Sequence, residues 1–109
     1  LIGEESRIGP GAKLRGYTVV GSDARVEKGA ELERAVVLDG VEVEEEVRVK
    51  DAVVGSKCRL GRSAFLERCV IGDGASVGEG AQVAPRLVRV APYLTIAPFS
   101  TLNTDYMAP

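Results

Sequence analysis

The sequence predicts an all-β fold, a single-stranded parallel β-helix of about six triangular coils, and three observations lead there. Aliphatic residues recur every six positions, charges recur with alternating sign every seventeen, and small residues and glycines keep fixed places between them. In such tandem hexads each repeat is one short strand, and three repeats close one coil.

The coils follow in order along residues 1–109, which form one β-helix domain. The first, 2–19, is anchored by Ile2, Ile8 and Leu14, and the second, 20–36, by Val20, Val26 and Leu32. Val37, Val43 and Val49 anchor 37–53; Val54, Leu60 and Leu66 anchor 54–70. Ile71, Val77 and Val83 serve 71–89, and Val90, Ile96 and Leu102 serve 90–107. Between Val20 and Ile71 every third step is five residues instead of six, which sets the coil at seventeen. Six coils at the strand spacing predict a prism roughly 29 Å long.

The charges test this register independently, because residues one coil apart become lateral neighbours on adjacent strands. Lys28, Glu45, Arg62 and Glu79 alternate in sign at a spacing of seventeen, as do Glu33, Lys50 and Glu67. Arg34, Asp51 and Arg68 form a third column, and Arg25, Glu42 and Arg59 a fourth. Arg15 extends the Glu33 column if the first coil is one residue longer.

Four positions after each anchor stand small or β-branched residues such as Ala24, Ala30, Val36, Val41, Val47, Val53, Cys58, Ala64, Val70 and Ala75. These suit a narrow interior and are expected to point inward. Glycine follows the anchor at Gly3, Gly9, Gly21, Gly55, Gly61, Gly72 and Gly78, where corners need φ > 0 or close backbone approach.

Composition narrows function. A net charge of -2 from interleaved signs gives no basic patch, so neither nucleic acid nor an anionic membrane is an expected partner. No apolar run approaches the ~20 residues of a membrane span and no signal peptide is visible, which predicts a cytoplasmic protein. Cys58 and Cys69 read as free thiols, Cys58 in an inward slot and Cys69 one residue before the next. The chain has no histidine and no Cys-x-x-Cys pair, so no metal site is expected. Gly72-Asp73-Gly74 and Gly78-Glu79-Gly80 look like phosphate loops, but both recur at the repeat period and neither opens a helix, which makes them corners.

The two ends differ from the middle. From Val90 to Pro109 the only charged side chain is Asp105, and Val90-Ala91-Pro92 and Ile96-Ala97-Pro98 echo Val83-Ala84-Pro85. This stretch holds Tyr93, Phe99 and Tyr106, which either plug the open end of the prism or form an apolar contact; all three are interface candidates. Leu1-Ile2-Gly3 enters a repeat in full phase without methionine or cap, as in a piece of a longer protein.

Val19-Val20-Gly21-Ser22, Ala52 to Cys58, Cys69 to Ala75 and the shortened hexad Leu32-Glu33-Arg34-Ala35-Val36 resemble the carboxy-terminal left-handed β-helix of sugar-phosphate nucleotidyltransferases. Mannose-1-phosphate guanylyltransferases and glucose-1-phosphate adenylyl- or thymidylyltransferases are similar to it. The resemblance implies left-handed coils, an exception to the usual crossover. It also implies a missing N-terminal catalytic α/β domain that binds Mg²⁺ and nucleotide, so this chain is expected to hold no catalytic residue and no cofactor.

Two functions remain: a non-catalytic oligomerisation or regulatory domain of an enzyme making nucleotide-sugars from nucleoside triphosphate and sugar 1-phosphate, or a stand-alone scaffolding β-helix, natural or engineered. The first predicts a homo-oligomer. Hexapeptide acyltransferases usually need a histidine base, and γ-class carbonic anhydrases need histidine ligands. An ice-binding helix needs a regular array of short polar side chains, where this chain carries ions.

Overall fold

An extended segment turns alternate side chains to opposite sides, so the residue two before each aliphatic anchor shares the anchor's side. The computed structural model, which describes residues 2–83, 88–102 and 104–107, is built on that pairing. Ala24 with Val26, Ala30 with Leu32, Val41 with Val43 and Ala64 with Leu66 point into one continuous core. Leu32, Leu60 and Leu66 are fully buried, each contributing about 1.5–3 kcal/mol over an exposed position. Strands are two or three residues long, and none of the described residues is helical. Leu1, Ala84 and Pro85 lie outside the described residues.

Three parallel sheets form the walls of a prism. The first stacks Arg7–Ile8, Arg25–Val26, Glu42–Val43, Arg59–Leu60, Ser76–Val77 and Thr95–Ile96. Lys13–Arg15, Glu31–Glu33, Arg48–Lys50, Phe65–Glu67, Gln82–Val83 and Thr101–Leu102 make the second. The third contains Val19–Val20, Val36–Val37, Val53–Val54, Cys69–Ile71 and Val88–Val90. The chain visits the walls in that order and then climbs one level.

Lateral pairings measure each coil. Leu14 lies beside Leu32, eighteen residues on, and Arg15 beside Glu33, so the first coil is the longer one that the Arg15 column requires. Leu32, Val49, Leu66 and Val83 follow at seventeen. Ile71 pairs with Val90 and Val83 with Leu102 at nineteen, the two added residues falling between Val83 and Val90. The long dimension is 33 Å.

One group of expected core residues is reversed. Where the step shortens to five, the inward residue stays two before the next anchor and no longer four after the last. Ala35, Ala52 and Cys69 are buried there, while Val36, Val53 and Val70 lie on the outer surface, Val53 39% and Val70 43% exposed. The lost residue comes out of the corner, because removing one from the strand would turn the anchor to solvent.

Corners are equally regular. Every described residue with a left-handed backbone falls in one of three columns. Glu5, Asp23, Gly40, Lys57, Gly74 and Tyr93 mark the corner from third wall to first; Gly11, Gly29, Glu46, Ser63, Gly80 and Phe99 that from first to second; Gly16, Arg34, Asp51 and Arg68 that from second to third. Ten of these are not glycine, so the corner does not demand it. At one corner the Ala64 N–H donates to the Gly61 carbonyl at 3.1 Å, closing a turn whose third residue, Ser63, has φ 60° as in a type II turn. Gly61 is glycine for a different reason: a β-carbon there would lie 2.6 Å from the Glu79 backbone nitrogen of the next coil.

Candidate functional site

Outward side chains decide what each wall offers. On the first two walls they are mostly ionic, and the alternating columns become lateral neighbours: Glu42 stands between Arg25 and Arg59, and Lys50 between Glu33 and Glu67. Reach then selects the partner. Arg59 Nε sits 2.7 Å from Glu44 and 3.9 Å from Glu42, and Arg62 reaches Glu46 at 4.0 Å. At the second-to-third corner Arg34 clasps Asp51 through Nε at 2.5 Å and Nη2 at 3.0 Å while Nη1 donates to Glu33 at 2.9 Å. The hydrogen bond from Arg34 holds the Asp51 carboxyl below its ordinary value, and the same contact raises Arg34. Besides Arg34–Glu33, Arg59–Glu44 and Arg62–Glu46, two further ion pairs were not anticipated: Arg48 with Glu31 at 3.1 Å, and Arg89 with Asp105 at 2.6 Å. The first was legible as a further seventeen-residue column; the second spans sixteen residues and had no periodic signal.

The third wall is different. Its outward column is Val19, Val36, Val53 and Val70, neighbours in adjacent strands, and continues into Arg89, with Leu38 exposed beside the valines. Sequence reasoning missed this apolar stripe because it counted three of the four valines as core.

Near the carboxy terminus the three aromatic candidates separate. Tyr93 and Phe99 are 79% and 74% exposed, at two different corners. Tyr106 is half-buried against the core, with its N–H donating to the Arg89 carbonyl at 2.8 Å and its own carbonyl accepting from Ala91 at 2.8 Å. Tyr106 thus lies where an end plug lies, whereas Tyr93 and Phe99 offer their rings outward. Tyr17, in the first coil, is also exposed.

The glycine-rich corners are filled by protein. Asp73 Oδ1 accepts the Ser56 N–H at 2.8 Å, as Asp39 accepts that of Ser22. Ideal β-carbons on Gly72 and Gly78 would lie 2.5 and 2.4 Å from the nitrogens of Pro92 and Pro98. Cys58 and Cys69 are free and buried, Cys69 in an inward slot of its own. Burial pushes the Cys69 thiol up to about 12 and raises that of Cys58, whose Sγ lies 3.0 Å from the Gly72 carbonyl. Among the described residues no group of three His, Cys, Asp or Glu side chains could hold a metal, and no helix is long and apolar enough to cross a membrane.

The family described as the GMPPB C-terminal domain matches residues 1–104. No curated protein matches at a significant level. In fold the chain is similar to the acetyltransferase domain of PglB from Neisseria gonorrhoeae, with TM-score 0.86 and 21% identity over 92% of this chain and 50% of that one. It is also similar to PerB from Caulobacter crescentus in complex with CoA and GDP-perosamine (TM-score 0.66, 19% identity, 100% and 52% covered) and to LpxA from Acinetobacter baumannii (0.53, 18%, 96% and 60%). The chain spans about half the length of the first two. At these identities the likeness shows the fold, a left-handed hexapeptide-repeat β-helix.

Proposed function

Because the chain belongs to the family of GMPPB C-terminal domains, we propose that it is the non-catalytic oligomerisation or regulatory β-helix of an enzyme that makes nucleotide-sugars from a nucleoside triphosphate and a sugar 1-phosphate. Its association with nucleotidyltransferases follows from the family. The match over residues 1–104 is the observation that carries the reading. In this reading Mg²⁺ and nucleotide belong to an N-terminal catalytic domain, and the β-helix supplies a rigid surface for assembly in the cytoplasm.

Two features support a role in assembly. The prism is stiff, since each coil is hydrogen-bonded to the next along three walls. Its last coil is poor in charge and turns Tyr93 and Phe99 outward, the aromatic enrichment found at the buried centre of many interfaces. Tyr93, Phe99 or Tyr106 contributes to the contact.

The test combines activity and mass. Incubated with several nucleoside triphosphates, sugar 1-phosphates and Mg²⁺, the purified chain should form no nucleotide-sugar; turnover above the buffer control overturns the non-catalytic assignment. Light scattering across a dilution series should show a homo-oligomer, which a single serine substitution at Tyr93 or Phe99 weakens while the β signal in circular dichroism persists. A chain that is monomeric at every concentration removes the assembly role.

A further inference from the structure

We propose that the groove along the second wall of the prism binds a nucleotide, with the base stacked on Phe65, the ribose beside Ser63 and the phosphate at Lys13. The proposal rests on the regulatory half of the preceding reading and gives that role a ligand class and a place.

Phe65 breaks the pattern of its column. Lys13, Glu31 and Arg48 are successive lateral neighbours of alternating sign, and the next position, where an acid would continue the alternation, holds Phe65, followed by Gln82. Leu66 takes the inward position of that strand, so the ring of Phe65 stands half-buried on the outer side of the wall. Among the described residues it is the only aromatic in a strand, and packing inside the prism does not call for a ring there. Arg48, Phe65 and Gln82 thus set a guanidinium, a ring and a carboxamide side by side in adjacent strands. The ring offers a stacking face to a base, and the carboxamide supplies both a donor and an acceptor to its edge.

The groove that holds this column has a volume of about 740 Å³, within the range of small-molecule sites. Its opposite bank is the corner from first to second wall, where Gly11 and Gly29 carry no side chain and Glu46 and Ser63 stand higher. Ion pairs decide its charge. Arg48 takes Glu31 at 3.1 Å, and Glu46 lies 4.0 Å from Arg62, which stands outside the groove. Both carboxylates are thereby engaged, whereas Lys13, the other lateral neighbour of Glu31, has no ion pair among the described residues. The groove therefore presents one unpaired charge, a cation, at the end away from the ring. Three strand spacings of about 4.8 Å place Lys13 roughly 14 Å below Phe65, a span that a base, a ribose and a phosphate fill together with the reach of a lysine side chain. Between the two ends Ser63 and Glu46 offer a hydroxyl and a carboxylate to the sugar hydroxyls. A planar ring at one end, an anion at the other and hydroxyls between them are the chemistry of a nucleotide.

Titration of the chain with the monophosphates of adenosine, guanosine, cytidine and uridine, followed through its amide NMR signals, tests the site. At least one nucleotide should shift the amides of Ser63, Phe65 and Gln82 saturably, the parent nucleoside should bind more weakly, and ribose phosphate should leave them unmoved. Phe65→Leu, which keeps an apolar side chain on the outer side of the wall, should raise Kd about tenfold with circular dichroism intact, and Phe65→Tyr should leave it unchanged. Lys13→Gln should raise the Kd of the nucleotide about threefold at low salt and less at high salt, without moving that of the nucleoside. No saturable shift with any of the four nucleotides at millimolar concentration overturns the proposal, as do shifts confined to another wall or a Kd indifferent to Phe65→Leu. Equal binding of ribose phosphate overturns the stacked base. Light scattering and the turnover assay read assembly and catalysis without reference to this groove, so the site and the preceding reading fail separately.

Discussion

The ring of Phe99 occupies the space that a β-carbon on Gly80 would fill: its Cδ1 lies 2.5 Å from that ideal position, one coil away in the same corner column. Tyr93 stands in the same relation to Gly74 at the neighbouring corner. Exposed aromatics at left-handed corner positions are thus seated on bare glycine backbone.

Gly80→Ala should therefore destabilise the fold by about 2–5 kcal/mol through overpacking and left-handed strain together. In a Phe99→Ser background the steric part disappears and only the cost of a left-handed alanine, about 1–2 kcal/mol, remains. Thermal melts of the two single variants and the double one measure the coupling. Equal effects of Gly80→Ala in both backgrounds would separate the ring from the glycine.

Lys13, Glu31 and Arg48 form a column that ends at the uncharged Phe65. Glu31→Lys places three cations in line, and with each exposed pair contributing about 0–1 kcal/mol the melting temperature should fall by roughly 4–8 °C per kcal/mol lost. Adding Lys13→Glu and Arg48→Glu restores alternation and should recover the loss at low salt, with both effects fading at high salt. A triple variant as unstable as the single one would contradict the lateral pairing.

Asp51 titrates below its ordinary value because Arg34 hydrogen-bonds the carboxylate, and Arg89 does the same for Asp105. Both folded-state values are depressed, so the associated stability is fully present above the unfolded Asp value of about 3.9 and is lost as pH falls through the folded one. Carbon-13 titration of the Asp51 carboxyl should give a midpoint below about 3.9, which Arg34→Gln raises toward it. An unchanged midpoint in Arg34→Gln would show that the clasp does not persist in solution.

Cys58 and Cys69 are both buried, with thiol values raised by that burial, Cys69 to about 12. The thiolate is the reactive form, so a thiol reagent near neutral pH should leave the folded chain unlabelled and modify both cysteines in denaturant. Rapid labelling of the native chain would place a sulfur at the surface.

Sequence alone determines the coil. The aliphatic period names the residues that point inward, and charges seventeen apart name the lateral neighbours, because stacking identical coils turns a spacing in sequence into adjacency in space; even the longer first coil was legible in Arg15 and Glu33. Tertiary structure decides how each short coil absorbs its missing residue. Counting forward from Leu32 or Val49 puts Val36 and Val53 in the core, and counting back from Val37 or Val54 puts them outside; strand alternation running into the next anchor selects the second. That single choice of phase creates the apolar wall. It also takes the fold to place Phe99 on Gly80, to turn Arg59 from Glu42 to Glu44 and to divide Tyr106 from Tyr93, since each depends on the reach of a side chain between coils and leaves no period along the chain.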